Sequence, residues 1–169
     1  MDADALRELQ APLKARYKED PDAAVITLKA RGEIGQEGLA CRVETGRALV
    51  EAGLHPATGG TGLQACSGDM LLEALAACAG VTLSAVATAL GIEIRQGTVE
   101  TEGDLDFRGT LGVAKDAPVG FKAIRLRFTL DTDADDEKLA TLLKLTERYC
   151  VVLQTLKNPA ATEASIARA

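Results

Sequence analysis

Two of the four cysteines in the sequence lie where thiol chemistry is expected. Cys78 lies inside a long apolar run at residues 67–90, and Cys150 follows a predicted amphipathic helix, in the run ERYCVVLQTLKNP. Two thiols can form a redox pair when the fold brings their Cα atoms within about 7 Å. The thiolate attacks the O–O bond of a peroxide, which gives a sulfenic acid that a second thiol converts into a disulfide. The pair therefore predicts thiol redox chemistry, and the alternative is that Cys78 is a small core residue.

The other two cysteines, Cys41 and Cys66, are weaker candidates. Cys66 precedes Cys78 by 12 residues, which is about 18 Å along a helix. If the helix begins at Ser67, Cys66 cannot resolve a sulfenic acid on Cys78 of the same chain. Cys41 lies in a predicted strand and is interpreted as a core or partner-facing residue. The sequence has no CxxC pair and a single histidine, His55, so we expect no metal site and no cofactor.

Composition narrows the range of partners. A net charge of −6 and an aromatic content of 3%, without tryptophan, disfavour nucleic acid, which requires a basic surface and stacking side chains. The N-terminal sequence MDADALREL is acidic and has no apolar signal core, so we expect a cytoplasmic protein. The run 67–90 is long enough to span a bilayer, but Glu73, its hydroxyl side chains and the lack of nearby Lys or Arg disfavour a membrane span.

The run 67–90 is predicted to form the central helix of the fold. Between residues 70 and 90 nearly every side chain is apolar, and such a helix must be buried all round. Ser67 is the predicted N-cap, Asp69 lies in the first turn where the helix dipole favours a negative charge, and Gly91 ends the helix.

The remaining predicted elements lie on both sides of this helix. They are a helix at 2–18 that Pro12 kinks or splits, strands at 23–33, 39–44 and 48–51, a glycine-rich loop at 53–62, strands at 93–107 and 122–130, a helix at 134–149 with Asp133 as N-cap, and a last strand at 162–168. The loop is interpreted as a connection rather than a phosphate site, and its His55 as a surface residue. Strands before and after one central helix indicate an α+β domain.

Three stretches resemble the OsmC/Ohr family of thiol-dependent hydroperoxide reductases. The run CSGDMLLEALAACAGVTL, which contains Cys78, resembles the central-helix motif of the family, and ERYCVVLQTLKNP resembles its second cysteine motif. The loop HPATGGTG before the helix is also similar to the family. The resemblance covers roughly residues 24–168, which implies an N-terminal helical extension at 1–22 and an OsmC-like domain at 23–169.

The resemblance implies a fold and an activity. The fold is an intertwined α+β homodimer, with a buried central helix packed against antiparallel sheets and active sites at the interface. The activity is the reduction of organic hydroperoxides, in which Cys78 is oxidised to a sulfenic acid and Cys150 resolves it. The reductant implied is a dithiol, such as a lipoylated protein.

The acidic residue of the family motif is displaced in this chain. The family usually has an acid ten residues before the first cysteine, where this sequence has Gly68, whereas Asp69 lies nine residues before it, as in related subfamilies. Nine residues span about 13.5 Å of helix and half a turn. Asp69 therefore cannot contact Cys78 of its own chain and would reach such a thiol only across a dimer.

Two further family positions bear on the redox pair. The family uses an arginine from the early strands to hold the thiolate, and Arg31, Arg42 and Arg47 are available, of which Arg31 matches the family position best. An arginine beside the thiol would lower its pKa, and a carboxylate would orient that arginine. Many members have proline after the second cysteine, where this chain has Val151.

Two predictions remain to be weighed against the structure. The central helix has more apolar faces than the strands of one domain can cover, so we expect an obligate homodimer. The alternative to an enzyme is a non-enzymatic OsmC-like dimer that acts as a small-ligand-binding or structural protein, which the missing acid at Gly68 favours.

Overall fold

The computed structural model describes residues 3–35, 40–43 and 52–168, with only the backbone described at 3–7, 9, 28–35 and 40–43. Its five helices and four strands have the following bounds: α1 Ala3–Glu19, β1 Val25–Gly35, β2 Ala40–Val43, α2 Ser67–Ala89, β3 Gln96–Asp106, α3 Phe107–Thr110, β4 Phe121–Asp131, α4 Asp136–Tyr149 and α5 Val151–Lys157. Short 3₁₀ helices lie at Pro21–Ala24 and Pro56–Thr58. The architecture is α+β, as the sequence predicted.

The described strands form one antiparallel sheet in the order β2-β1-β3-β4. Its two faces differ, because side chains alternate along each strand. Val99 and Thr101 of β3 are buried, and the Thr101 hydroxyl donates a hydrogen bond to the Leu72 carbonyl of α2 at 3.1 Å. At Gly103, a Cβ atom would lie 2.4 Å from the Phe121 ring, so a larger residue would push the strand from its neighbour. Helix α2 therefore packs closely on one face of the sheet.

Helix α2 is the core helix, but in a single chain it is not buried on every side. Eight of its residues are buried: Leu72, Leu75, Ala76, Ala79, Gly80, Leu83, Ser84 and Ala87. By length and composition alone the helix could cross a membrane, yet these residues pack inside the domain. Met70, Leu71 and Val81 are 37–40% exposed. The expectation of burial all round is thus wrong for one chain, and an apolar stripe remains open to solvent.

Two hydrophobic clusters lie along α2. The first, here called the thiol cluster, joins the middle of α2 to β3, α4 and α5; its buried members are Leu75, Ala76, Ala79, Leu83, Ala87, Ile92, Ile94, Val99, Leu142 and Cys150, and Cys78 packs against it. The second, here called the N-terminal cluster, joins the start of α2 to α1, β3 and α3; its buried members are Tyr17, Ala24, Leu72, Leu105, Phe107 and Leu111.

Several predicted helix ends differ from those observed. Cys66, not Ser67, occupies the N-cap of α2, and its side chain makes no capping hydrogen bond. Asp135 caps α4 by accepting a hydrogen bond from the Lys138 N–H. The predicted cap Asp133 instead pairs with Arg95, because that guanidinium lies 2.6 Å away.

Other predictions also need correction. Helix α1 continues through Pro12 as one helix, and α5 was not predicted. The predicted strand at 162–168 has no regular structure, and the predicted strand at 48–51 lies outside the described residues. His55 is not a bare surface side chain: its ring stacks on Phe107 with centroids 4.9 Å apart, and its Nδ1 accepts a hydrogen bond from the Ala57 N–H at 3.0 Å.

Candidate active site

Cys150 lies at a break between two helices. Its N–H donates to the Thr146 carbonyl at 2.9 Å as the last bond of α4, and its own carbonyl accepts from the Gln154 N–H at 2.8 Å as the first bond of α5. The backbone at Cys150 is extended, with φ −71° and ψ 105°. Because the chain restarts a helix here, the first N–H groups of α5 have no intrahelical acceptor, and α5 packs against α2.

The break in the helix brings the two predicted redox cysteines together. Both are free thiols; Cys150 is completely buried, whereas Cys78 is half-buried. The Cys150 side chain is hydrogen-bonded to Cys78. The structure thus joins residues 72 positions apart in the sequence, as redox pairing requires.

The surroundings of Cys78 favour its thiolate. Burial raises the pKa of the Cys78 thiol, but hydrogen bonds from the Val152 N–H, the Cys150 side chain, the Val151 N–H and the Thr82 hydroxyl lower it. The net result is a pKa below the ordinary thiol value. Donors that point at a sulfur stabilise its charged form, so Cys78 is the more acidic and more nucleophilic thiol of the pair.

Cys150 has the opposite character. Burial, together with the neighbouring Cys78, raises the pKa of Cys150 to about 11, and the N–H groups of Leu153 and Val152 oppose this rise only in part. Near neutral pH, Cys150 is therefore a protonated thiol that donates to a sulfur with a lower pKa. A nucleophile beside a protonated partner is the arrangement that a two-cysteine peroxide reaction needs.

The sequence interpretation missed the groups that tune Cys78. The described donors are the Cys150 side chain, Thr82 and the N-terminal N–H groups of α5, and the expected arginine stays a prediction. Two features of the sequence indicated these donors. Thr82 lies four residues after Cys78, on the same face of a helix. The other feature is Val151, because valine has an N–H to donate and the family's usual proline has none.

Asp69 lies in a different environment from the thiols. It is half-buried in the first turn of α2. Burial raises the pKa of its carboxyl group, and the charge of His55 lowers it. Nine helical positions separate Asp69 from Cys78, so the described chain does not bring these two side chains together.

The candidate arginines lie in the early strands, and their side chains are not described. The register places Arg31 opposite Glu100, and Glu100 opposite Arg127. Directly opposite positions share a sheet face, and Glu100 and Arg127 are exposed while α2 covers the other face. The position of Arg31 therefore belongs to the face away from α2. Arg42 lies in β2 opposite Glu33, and Arg47 is outside the described residues.

An apolar cleft of about 370 Å³ opens between β4 and α4. It is lined by Leu83, Leu126, Arg127, Phe128, Leu130, Leu139, Leu142 and Leu143. Most of these residues belong to the thiol cluster or pack against it, so the cleft adjoins the core that carries the cysteines. Within the described ranges, no group of three or more His, Cys, Asp or Glu side chains could hold a metal ion.

Comparison with known proteins identifies the family. A model of OsmC-like proteins matches residues 60–165. The fold is similar to a crystal structure of an OsmC-like hydroperoxide resistance protein from Jannaschia sp. CCS1, with a TM-score of 0.60 and 16% identity over 86% of this chain and 95% of that one. It is also similar to an OsmC-like protein from Mycoplasma pneumoniae, with a TM-score of 0.55 and 15% identity over 80% and 86% of the two chains. No curated protein sequence matches the chain. Because the family model covers more than half of the sequence, the chain belongs to the OsmC-like protein family.

Proposed function

We propose that the protein is a thiol-dependent peroxidase that reduces organic hydroperoxides. One observation carries the proposal: a half-buried thiol with a lowered pKa, Cys78, is hydrogen-bonded to a buried thiol with a raised pKa, Cys150. Membership of the OsmC-like family and the fold of a hydroperoxide resistance protein support the same chemistry.

The first step is attack of the Cys78 thiolate on the hydroperoxide. An S–O bond forms to the terminal oxygen, the O–O bond breaks, and an alkoxide leaves and takes up a proton to become an alcohol. Cys78 becomes a sulfenic acid. The N–H groups of Val151 and Val152 stabilise the charged thiolate before attack, so the nucleophile is present near neutral pH.

The second step resolves the sulfenic acid. The Cys150 sulfur forms an S–S bond with Cys78, the S–O bond breaks, and the hydroxyl group leaves as water with the proton of the Cys150 thiol. A dithiol then reduces the disulfide by exchange, and its own two sulfurs become a disulfide. A lipoylated protein in the cytoplasm has the required chemistry.

The remaining predicted residues fit this proposal only in a homodimer. Asp69 is too far along α2 to reach Cys78 of its own chain, and the position of Arg31 lies on the sheet face away from its own α2. A two-fold partner seated on the exposed stripe of α2 would bring Asp69 of one chain toward Cys78 of the other, and an intertwined dimer would in addition have to bring Arg31 there from the far face of the sheet. In that arrangement Arg31 stabilises the thiolate and Asp69 orients the guanidinium.

The substrate class follows from the surroundings of the thiols. Cys78 packs against apolar side chains, and the adjoining cleft between β4 and α4 is lined mostly by leucine. An apolar surface binds the hydrocarbon part of an organic hydroperoxide by excluding water from both, and it offers hydrogen peroxide no comparable contact. We therefore expect organic hydroperoxides to be preferred.

Peroxide turnover tests the proposal against the non-enzymatic alternative, which the missing acid at Gly68 favours. The wild-type protein is expected to consume cumene or tert-butyl hydroperoxide with a dithiol reductant, more slowly with a monothiol, and with lower kcat/KM for hydrogen peroxide. Cys66→Ser is the matched control, because Cys66 is a half-buried thiol of the N-terminal cluster. Failure of the wild-type protein to turn over any of these peroxides with either reductant would refute the proposed peroxidase activity.

A further inference from the structure

One buried polar side chain, four residues before Cys150, has no partner in the described part of the chain. Thr146, in the last turn of α4, is completely buried, and its hydroxyl oxygen has no hydrogen-bond partner among the described residues. Leaving a buried hydroxyl unpaired costs about 1–3 kcal/mol. Most buried hydroxyls are paired, so an exception calls for an explanation.

The position of Thr146 indicates which group it serves. Its carbonyl accepts the N–H of Cys150 at 2.9 Å, which is the helical bond between residues four apart. Side chains four apart on a helix are neighbours on one face. The Thr146 hydroxyl and the Cys150 thiol are therefore placed on one face at the end of α4, and both residues are completely buried.

The resolving step creates a need for a hydrogen-bond donor at this place. In the resting pair, Cys150 is a neutral thiol, and its proton is directed at Cys78. To resolve a sulfenic acid, the Cys150 sulfur must lose that proton and develop negative charge in a buried, apolar environment. The Leu153 N–H reaches this sulfur from α5, and the hydroxyl of Thr146 is the neighbouring donor on α4.

We propose that Thr146 donates a hydrogen bond to the Cys150 sulfur during the resolving step. The inference rests on the proposed function for the step that it names. In that step the S–S bond forms, the S–O bond of the Cys78 sulfenic acid breaks, and water leaves with the Cys150 proton. Thr146 is not consumed, because its O–H rotates toward the sulfur as negative charge develops there.

The test measures resolution separately from peroxide attack. In a chain that carries Cys41→Ser and Cys66→Ser, a dipyridyl disulfide converts Cys78 into a mixed disulfide and releases one pyridinethione; attack by Cys150 then releases the second. In Thr146→Val, which has the same shape but no hydroxyl, we expect the first release to be unchanged and the second to be about fivefold slower. In Thr146→Val, the rate of the second release should also begin to increase at a higher pH than in wild type, because the Cys150 thiolate has lost a hydrogen-bond donor. Thr146→Ser should restore the rate.

Stability provides the second readout. Removal of an unpaired buried hydroxyl should leave the melting temperature of Thr146→Val equal to or above that of wild type. Thr141→Val is the matched control on the exposed side of α4 and should change neither release. Thr146→Ala keeps the test available should the valine variant fold poorly.

Equal second-release rates in wild type and Thr146→Val would overturn the inference, as would an equal slowing of both releases. This assay uses no peroxide, so it tests Thr146 independently of the proposed function. A protein that fails to consume hydroperoxides would refute the proposed function, and the rate of the second release would still test the role of Thr146. In an active enzyme, stopped-flow measurements should show sulfenic acid accumulating longer in Thr146→Val.

Discussion

The two clusters along α2 carry different parts of the proposed site. The thiol cluster holds Cys78 and Cys150 in hydrogen-bonding contact, and its donors come from the same chain. The N-terminal cluster borders Asp69, whose described electrostatic neighbour is His55 rather than an arginine. Within the proposal, one helix thus carries a pair of thiols whose contacts lie within one chain and an acid that would act only in a dimer.

The difference between the two clusters separates the reactivity of the thiols from the contribution of Asp69 and Arg31. Thiol reactivity depends on contacts inside one chain, so it should survive changes that affect assembly alone. Any contribution of Asp69 or Arg31 should depend on assembly, because neither lies beside Cys78 of its own chain. Variants that affect one cluster and leave the other intact can therefore test this division.

The largest effect is expected from the cysteines themselves. Cys78→Ser should reduce peroxide consumption to the uncatalysed rate, because the nucleophile is lost. Cys150→Ser should consume about one equivalent of peroxide and then stall or over-oxidise, since no thiol resolves the sulfenic acid. Peptide mass mapping after one equivalent of peroxide measures both. A first sulfenic acid on Cys41 or Cys66 would contradict the assignment.

The exposed stripe of α2 tests assembly. Val81→Glu places a charge on an apolar surface that is 40% exposed in one chain, so the monomer should fold. A dimer that buries this position should weaken by on the order of 100-fold, because an unpaired charge would be desolvated. Sedimentation velocity at low micromolar concentration measures the change.

Val119→Glu is the matched control, since Val119 is an exposed valine on a loop. A change at Leu75 would not discriminate, because Leu75 is completely buried within one chain and its loss would unfold the monomer as well. A wild-type protein that sediments as a folded, active monomer would contradict the shared site.

The sequence predicted the architecture and singled out the two thiols that the structure brings together, because both are visible in local patterns; their redox roles stay a prediction. An apolar run of this length specifies a core helix, and alternation along β4 specifies a strand with one exposed face. The end of α4 at Tyr149 was predicted, whereas the restart of the chain as α5 was missed. Helix α5 packs against α2, and that contact is not local in the sequence.

The backbone donors to Cys78 were missed for a related reason, whereas the predicted role of an arginine stays a prediction, because the side chains of Arg31, Arg42 and Arg47 are not described. Arginine is a strong sequence signal for thiolate stabilisation, whereas backbone N–H groups are present at almost every residue and become donors only where a helix starts. The unpaired hydroxyl of Thr146 could not be predicted from the sequence either, because the burial of a side chain without a partner depends on tertiary structure. Asp69 was found through the motif, but its neighbour His55 was interpreted as a surface residue.

Val151→Pro should weaken the thiolate without disturbing the fold. Proline is favoured at the first position of a helix, and the extended backbone of Cys150, with ψ 105°, suits a residue before proline. Loss of the Val151 N–H raises the pKa of Cys78, so the pH at which the thiolate appears moves upward. Below that pH we expect about tenfold slower alkylation.

Val151→Ala keeps the N–H and is the control. Iodoacetamide alkylation between pH 5 and 9, followed by mass spectrometry of the Cys78 peptide, gives the profile. An unchanged profile in the proline variant would show that the other donors alone set the reactivity of Cys78.

The smallest effect is expected from the hydroxyl one turn beyond Cys78. Thr82→Val removes the described donor that lowers the pKa of Cys78 least, and it keeps the shape of the side chain. The pKa of Cys78 should rise less than in Val151→Pro, and alkylation near pH 7 should slow by about twofold to fivefold. Thr88→Val is the matched control, because that hydroxyl donates to the Ser84 carbonyl at 2.9 Å further along the same helix. If the Thr82 and Thr88 variants behave alike, the described donors that lower the pKa of Cys78 are the Cys150 side chain and the first N–H groups of α5, and Thr82 has no part in it.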